Sequence, residues 1–261
     1  MLIRNPGRRL DEQPHPSGDL IRVGRLTRPN DARGKRTASM EEPAFRKFDR
    51  YKASSYRSYN FAMPASYDRC IWLRLCQVAL WDRTMVRSLG SDLGSLRILD
   101  VGCATGRLLE QLAEAGATRL SGTDLAPRIL EVAHNRLSET GIEVELKAAD
   151  AEDRLPWERG SFDAVTLTGV LHHFFRPRDA LAEILRVLHP GGRLLIIDPC
   201  YFPPLRQLIN LALRIAPHAG DFHFYSPEEA VALLSASGFE VEPARRVGTW
   251  AFLAIARKPG S

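Results

Sequence analysis

From about residue 95, apolar and polar positions along the chain predict strands separated by helices. Short apolar runs rich in Leu, Ile and Val predict five strands, at residues 96–101, 119–123, 142–148, 162–168 and 193–197. Apolar residues three and four apart predict helices with one buried face, at residues 107–115, 127–140 and 179–188. Strands and helices that alternate at this spacing form βαβ units, so the sequence predicts a parallel sheet with helices on both faces.

The pattern changes after the fifth strand. Residues 205–215 (LRQLINLALRI) place leucine and isoleucine on one helical face, and the capping box at residues 226–229 begins a helix that ends at Gly238. Two further apolar runs, 240–246 and 249–256, are separated by a short Val-Gly turn and predict an antiparallel hairpin. We therefore expect an insertion at about residues 200–225, followed by a last strand pair that is antiparallel.

The N-terminal part divides into a tail and a helical cap. Residues 1–39 are rich in Arg, Pro and Gly and have neither a strand nor a helix period, so we expect a disordered basic tail. Because periodic structure begins beside Met40, an over-extended gene start is an equal alternative to a functional arm. Residues 40–92 are rich in aromatic residues and include a predicted helix at about 66–89, which we expect to cap the sheet.

The charge of the chain resides in that tail. Residues 1–39 hold nine Lys and Arg and four Asp and Glu, a surplus of five that equals the net charge of +5 of the 261-residue chain. The rest of the chain has no excess of positive charge from which to build a basic face. Because binding to a nucleic-acid backbone depends on such a face, we expect no nucleic-acid partner.

The four cysteines form no CxxC pair and no metal-ligand spacing. They predict reduced thiols in a cytoplasmic protein. The adjacent His172 and His173 are not one helical turn apart, so we expect no metal site. No run of about 18 apolar residues predicts a membrane span.

Polar residues follow the predicted strands where each strand ends. Asp100, Asp124, Asp150, Thr168 and Asp198 lie in or beside the carboxyl ends of the five strands. In open α/β sheets ligands bind beyond these ends. A single aspartate there could merely cap a turn, but four along one edge favour a polar ligand.

The loop after the first strand, DVGCATG at residues 100–106, leads into a helix N-terminus. Gly102 and Gly106 allow a ligand to approach the backbone closely. A dinucleotide fingerprint would need glycine where Ala104 and Arg107 stand, so the loop does not match that fingerprint. The carboxylate of Asp100 would repel a pyrophosphate and would favour a cationic ligand.

At these residues the sequence resembles the class I S-adenosylmethionine-dependent methyltransferases, in particular the branch that acts on small molecules and quinone-like substrates. The resemblance covers about residues 45–257 and rests on five motifs in order: LDVGCATG, SGTDLAP, ADAEDRLPW, SFDAVTLTGVLHHF and LRVLHPGGRLLIIDP. It implies a three-layer, Rossmann-like α/β fold at residues 93–261, with a seven-stranded, mostly parallel sheet. Ala104 stands where the family more often has glycine, which slightly constrains the backbone there.

The resemblance also implies S-adenosylmethionine as the cofactor. It places the ribose hydroxyls at Asp124, the adenine amino group at Asp150, and a backbone N–H of Ala151 at the adenine ring. The methionine part would lie against the glycine loop, with Asp100 organising that loop. Asp150 could instead cap a turn, and Asp100 could hold only the amides of its own loop. The full set of expected cofactor contacts is Asp100, Gly102, Cys103, Ala104, Gly106, Asp124, Leu125, Asp150, Ala151, Thr168 and Tyr56, the last as part of a lid.

The reaction that the resemblance implies is an in-line displacement that moves a methyl group from sulfur to a nucleophile of a small-molecule acceptor. His173 and His172 are candidate general bases because imidazole titrates near neutral pH, and His223 is a further candidate. The LHHF segment could equally be a polar turn. The acceptor, the attacking atom and the oligomeric state stay open.

Three alternatives remain. The cofactor could serve a cyclisation or a rearrangement, or the chain could be a catalytically silent binding module. The fourth strand ends in TGVLHH and lacks the loop with which enzymes methylate exocyclic amines of nucleic acids, which argues against such substrates. We expect helix 205–215 to pack on its neighbours, the alternative being contact with a lipidic acceptor or a membrane surface.

Overall fold

The computed structural model describes residues 50–62, 68, 78–139, 141, 143–215 and 220–260, all within the unit Ala44–Ser261. The predicted tail, 1–39, and most of the predicted helix 66–89 before residue 78 lie outside these residues. Within them no helix combines the length and the apolar character that crossing a bilayer requires.

Helices and strands alternate from Arg97 onward, as the hydrophobic pattern predicts. The described helices are α1 (Arg50–Arg57), α2 (Val78–Leu89), α3 (Arg107–Glu114), α4 (Pro127–Glu139), α5 (Pro177–Val187), α6 (Leu205–Ile215) and α7 (Pro227–Ala236). The described strands are β1 (Arg97–Val101), β2 (Arg119–Asp124), β3 (Val144–Ala148), β4 (Phe162–Thr168), β5 (Leu188–Pro199), β6 (Glu240–Val241), β7 (Arg245–Val247) and β8 (Ala251–Arg257). A π-helical turn, Ser58–Ala62, follows α1, and a short 3-10 helix, Leu171–His173, follows β4.

The strands form one sheet in the order β3-β2-β1-β4-β5-β8-β6, with β7 paired to β8. Strands β1 to β5 pair in parallel and β8 runs antiparallel to β5, so the parallel sheet with an antiparallel C-terminal part is confirmed. The predicted strand 240–246 is two short strands, β6 and β7, and the sheet has eight strands instead of seven. Pro243 lies between them and has no N–H to donate, which accounts for the break.

Two apolar clusters cover the two faces of the sheet, because successive residues of a buried strand point to opposite faces. In β5, Leu194 and Ile196 belong to the cluster on one face, and Leu195 and Ile197 to the cluster on the other. All four side chains are fully buried. The strands are therefore held from both sides, and their carboxyl ends form a rigid edge.

Helix α7 begins as the capping box predicts. The Ser226 hydroxyl accepts a hydrogen bond from the Glu229 N–H (3.1 Å), and the Glu229 carboxylate accepts one from the Ser226 N–H (2.9 Å). Glu229 also pairs with the Arg206 guanidinium of α6 at 2.5 Å. This ion pair ties the inserted helix to the body of the domain.

Helix α6 turns its apolar stripe outward, so the expectation that the stripe packs on its neighbours is wrong. Leu208, Leu211 and Ile215 are 62%, 57% and 78% exposed. The buried side is largely polar, because the Asn210 amide exchanges two hydrogen bonds with the backbone of Phe224 (3.0 and 2.8 Å). These polar contacts and the buried Leu213 hold the opposite side of the helix, and Leu208, Leu211 and Ile215 stay at the surface.

Candidate active site

A cleft opens at the carboxyl ends of β1, β2, β3 and β4. It is lined by the loops after those strands and by the segment of α1 and the turn that follows it, through Lys52, Ser55, Tyr59, Val101, Gly102, Ala104, Thr123, Asp124, Leu125, Ala149, Asp150, Ala151, Glu152, Thr168, Gly169, Val170, His173 and Phe174.

The glycine loop approaches the cleft with its backbone. Gly102 has a φ of 72°, and a Cβ there would lie 2.5 Å from a methyl carbon of Val170. Ala104 has a φ of 47°, in the left-handed region that favours glycine, so the family's commoner residue fits this position better. Gly106 lies behind the loop against Ala133, at the start of α3. The loop thus presents Gly102 and Ala104 to the cleft, and Gly106 supports it.

Asp100 and Cys103 lie beneath the loop and do not line the cleft. The Asp100 carboxylate is 3% exposed and accepts a hydrogen bond from the Thr166 hydroxyl at 2.7 Å. Burial, together with the charges of Asp82 and Asp124, raises the pKa of Asp100 to about 7. The Cys103 thiol is buried and its pKa is raised well above the ordinary value, chiefly by burial. These positions favour a structural role for both side chains.

Asp124, at the end of β2, reaches the cleft and also holds the glycine loop. One carboxylate oxygen accepts a hydrogen bond from the Ala104 N–H (3.1 Å) and the other from the Ala126 N–H (3.0 Å). Burial raises the pKa of Asp124 to about 6, against these hydrogen bonds, which lower it. Because each oxygen can accept a second hydrogen bond, the carboxylate can still bind a pair of hydroxyl groups. Leu125 lines the cleft beside it.

Asp150, after β3, is paired with a lysine of α1. The Lys52 ammonium lies 2.5 Å from the Asp150 carboxylate and 2.9 Å from that of Glu152. Burial lowers the pKa of Lys52, but the hydrogen bonds and charges of the two carboxylates outweigh it, so the pKa is raised. Ala151 lies between the two acids and lines the cleft.

The loop after β4 forms the opposite wall. The Thr168 hydroxyl is buried and has no hydrogen-bond partner among the described residues, so it is a polar atom that a ligand in the cleft could bind. Gly169 donates its N–H to the Ile197 carbonyl (2.7 Å), which fixes the end of β4 against β5.

Beyond Gly169, two histidines meet two carboxylates. His173 lines the cleft, and its Nε2 lies 3.3 Å from the Tyr59 hydroxyl. Its Nδ1 lies 3.3 Å from Asp221, and Nε2 of His172 lies 3.6 Å from the same oxygen. Nδ1 of His172 lies 3.0 Å from the fully buried Asp198.

These environments shift the pKa values of the two rings in opposite directions. Burial lowers the pKa of His172, but the charge and hydrogen bond of Asp198 outweigh it and raise that pKa. Burial and the charge of His172 lower the pKa of His173 well below its ordinary value. His173 is therefore neutral at neutral pH and can accept a proton. A ligand atom from each of His172, His173 and Asp221 lies within 4.8 Å of the others, a spacing that would also admit a cation.

Besides Asp100 and Cys103, three further predicted side chains lie away from the cleft lining. His172 is buried behind His173. His223 is half-buried beside Tyr225, with its Nε2 3.7 Å from Glu229. Tyr56 is 7% exposed and packs against Phe61 of the turn after α1, so its ring is buried and does not face the cleft.

The sequence analysis missed the residues that α1 and the turn after it contribute to the cleft. Lys52, Ser55 and Tyr59 are spaced three and four residues apart, so they share one helical face. This spacing is a sequence signal that the three polar residues share a face, but it does not show which part of the molecule that face contacts. Glu152 was also missed, although it is two residues from Asp150.

Comparisons with known proteins agree with this geometry. A family described as "Methyltransferase domain" matches residues 99–196, from β1 to β5. A demethylmenaquinone methyltransferase of Thermus thermophilus is 33% identical over 183 residues, which are 62% of this chain and 81% of that protein. A ubiquinone biosynthesis O-methyltransferase of Xanthomonas oryzae is 38% identical over 158 residues, 58% of this chain and 65% of that protein. The match thus spans just under two thirds of the second relative.

Solved structures share the fold at lower identity. An S-adenosylmethionine dependent methyltransferase from Mesorhizobium loti is 22% identical, with a TM-score of 0.56 over 67% of this chain and 96% of that one. The (4+2)-cyclase SpnF is also 22% identical, with a TM-score of 0.58 over 69% of this chain and 81% of that one. Because a cyclase shares it, the fold alone does not select the reaction.

Proposed function

The chain belongs to the S-adenosylmethionine-dependent methyltransferases, and on that premise we propose that it transfers a methyl group to a hydroxyl oxygen of a small, quinone-like aromatic acceptor. The single observation that carries the proposal is the composition of one cleft. Asp124 and Asp150 line it after β2 and β3, and an imidazole lines it after β4.

The cofactor side of the proposal assigns a role to each end of the cleft. Asp124 accepts the ribose hydroxyls, Asp150 accepts from the adenine amino group, and the Ala151 N–H faces the ring. The glycine loop lies along the methionine part, where a Cβ at Gly102 would not fit. The unpartnered hydroxyl of Thr168 is a further polar contact. The fit is favourable because the donors and acceptors are already fixed by the strand ends.

When bound, S-adenosylmethionine supplies a methyl group on a positively charged sulfur. The protein holds the acceptor in line with that methyl group, and such positioning can contribute about 7–11 kcal/mol of the barrier. His173 accepts the proton that the acceptor hydroxyl gives up, a step worth about 10²- to 10⁴-fold in rate. His172 does not line the cleft. Its role is electrostatic, because its ring lies beside that of His173 and its charge lowers the pKa of His173.

Two relatives support the acceptor class, because one is named for demethylmenaquinone and the other for ubiquinone biosynthesis. An aromatic hydroxyl also suits the site, since the aromatic residues Tyr59 and Phe174 line the cleft with His173. A hydroxyl acceptor is favoured over carbon because a neutral imidazole at the cleft is suited to removing a proton from oxygen.

We further propose that the exposed apolar face of α6 contacts a lipid surface. Leu208, Leu211 and Ile215 form one apolar face, and Phe202, 49% exposed, precedes the helix. Co-sedimentation with anionic vesicles tests this proposal. Leu211→Ser should weaken binding to the vesicles, and absence of binding by the unaltered protein would refute a surface role. The cytoplasmic location expected from the cysteines stays a prediction.

The test of the function is transfer of a labelled methyl group. The protein is incubated with methyl-labelled S-adenosylmethionine and a reduced quinone or catechol, and the labelled ether is identified by mass spectrometry. Formation of a methyl ether supports the proposal. Binding of the cofactor without transfer to any such acceptor would favour the silent module, and an unmethylated but rearranged product would favour the cyclase alternative.

A further inference from the structure

The acceptor end of the cleft is built from three elements that are distant in sequence. Tyr59 comes from the turn after α1, His173 from the 3-10 helix after β4, and Asp221 from the loop before α7. The Tyr59 hydroxyl lies 3.3 Å from Nε2 of His173, and Asp221 lies 3.3 Å from Nδ1 of the same ring. Tyr59 and His173 both line the cleft.

We propose that Tyr59 relays the proton of a phenolic acceptor to Nε2 of His173, and that Asp221, 3.3 Å from Nδ1, is the positioning residue whose charge faces the imidazolium that forms. This inference rests on the proposed function and narrows its acceptor to an ionisable aromatic hydroxyl. The order of groups from the cleft inward is acceptor, Tyr59, His173, Asp221.

The geometry favours the relay because the Tyr59 hydroxyl lies at the hydrogen-bonding position of His173 Nε2. An acceptor in the cleft meets the tyrosine hydroxyl at that position. Phenols share nearly the same pKa as tyrosine, about 10, so a proton passes between them with little free-energy difference. An aliphatic alcohol is a far weaker acid and gains little from such a partner.

The proposed step balances in atoms and charge. The acceptor oxygen forms the new bond to the methyl carbon, and the carbon–sulfur bond breaks with its electron pair left on sulfur. The acceptor proton moves to the Tyr59 oxygen while the Tyr59 proton moves to Nε2 of His173. His173 becomes an imidazolium, whose charge faces the Asp221 carboxylate, and it later releases the proton to solvent.

His172 sets the charge behind this relay. It lies between Asp198 and Asp221, and its ring centre is 4.1 Å from that of His173. Asp198 raises the pKa of His172, whereas burial and the charge of His172 lower the pKa of His173. The groups that face His173 are therefore Tyr59, His172, Asp221 and the backbone of Gly220.

The experiment compares two acceptors that differ in whether a proton must be removed. Catechol is protonated at pH 8, whereas 4-nitrocatechol is already ionised there and needs no relay. Tyr59→Phe should lower kcat for catechol by about 10²-fold and kcat for 4-nitrocatechol by less than about 3-fold. The affinity for S-adenosylhomocysteine, measured by calorimetry, should be unchanged because only the hydroxyl that faces His173 is removed.

Asp221 is tested through the pH profile. Asp221→Asn removes the charge that stabilises the imidazolium, so the pKa of His173 falls further and the acid limb of the kcat profile for catechol moves to lower pH. The maximal kcat should fall by about 10-fold or more, and Asp221→Glu should restore part of it. If Asp221→Asn only disturbed the structure, kcat would fall at every pH and the acid limb of the profile would not move.

Several outcomes overturn the relay. Equal loss of kcat on both acceptors, or no loss on either, shows that the Tyr59 hydroxyl carries no proton. Loss of the unaltered protein's activity on treatment with EDTA, restored by Mn²⁺, assigns the two histidines and Asp221 to a cation. If the unaltered protein binds S-adenosylhomocysteine but methylates neither catechol, the proposed acceptor class itself fails.

Discussion

The replacement Asp124→Asn tests the assignment of the ribose site with little change in shape. Both carboxylate oxygens of Asp124 already accept a backbone N–H, from Ala104 at 3.1 Å and from Ala126 at 3.0 Å. The ribose hydroxyls would use the remaining lone pairs. An asparagine keeps one acceptor oxygen and turns two donor hydrogens toward the other position, where Ala104 or a hydroxyl group needs an acceptor.

The magnitude follows from the two hydrogen bonds to the cofactor. Hydrogen bonds to a charged group are worth about 1.5–3 kcal/mol each, roughly twice the value of neutral ones. The variant loses one such bond and weakens the other, a total of about 2.5–4 kcal/mol. Since about 1.4 kcal/mol corresponds to a factor of ten, the Kd for S-adenosylhomocysteine should rise by about 10²- to 10³-fold.

Calorimetry gives the Kd, and thermal unfolding gives an independent measure. At 100 times Kd the ligand adds about 2.7 kcal/mol to the free energy of unfolding, which corresponds to a rise in Tm of about 5–11 °C for a domain of this size. The same ligand concentration should raise the Tm of Asp124→Asn by about 1 °C or less. Asp153→Asn, an exposed aspartate outside the cleft lining, is the matched control and should keep the full shift. If Asp124→Asn binds within about 3-fold of the unaltered protein, the ribose assignment is wrong.

Three further predictions use other parts of the cleft. Gly102→Ala should weaken S-adenosylhomocysteine binding at least about 10-fold by calorimetry. Gly141→Ala, at a similar φ of 73° with no atom within 4 Å of its Cβ, should cost only the backbone strain of about 1–2 kcal/mol in unfolding free energy; equal binding by both variants would contradict the close approach. Lys52→Met should lower the free energy of unfolding by about 2–3 kcal/mol, because the buried Glu152 loses its ammonium partner. Lys147→Met, which breaks the more exposed pair of Lys147 with Glu145, should cost less than about 1 kcal/mol. Denaturant melts that show the same loss for both variants would refute the role of burial. Because Asp124 has a pKa raised to about 6, its carboxylate takes up a proton as the pH falls below 6, so S-adenosylhomocysteine affinity should fall about tenfold per pH unit there; a flat profile for the unaltered protein between pH 5 and 8 would exclude this linkage.

The fold could be predicted from local pattern because its strands are buried on both faces. Runs such as Phe162–Thr168 are continuous and apolar, and a parallel sheet needs that composition. The orientation of α6 could not be predicted in the same way. A stripe of leucines shows that a helix has two faces, but it does not show which face is buried. Here the ion pair of Arg206 with Glu229 and the hydrogen bonds of Asn210 determine which face of α6 is buried, and both are contacts distant in sequence.

The same difference between local pattern and distant contacts separates the site residues that could be predicted from those that could not. Asp124, Asp150 and Thr168 could be placed because the ends of neighbouring parallel strands necessarily meet at one edge. Lys52 and Tyr59 could not, since nothing local states over which edge a helical cap will fold. Tyr56 shows the limit of local pattern, because it is four residues from Lys52 and yet packs against Phe61 instead of lining the cleft.

Both ends of the cleft depend on one short stretch of chain. Lys52 holds it to the carboxylates after β3, Tyr59 holds it to His173, and the buried Asn60 accepts a hydrogen bond from the Arg128 N–H at the start of α4. A hinge movement of α1 with its turn would therefore uncover the nucleoside end and the acceptor end together. Entry of one reactant and departure of the other product become coupled events, and steady-state product-inhibition patterns should reveal a compulsory order.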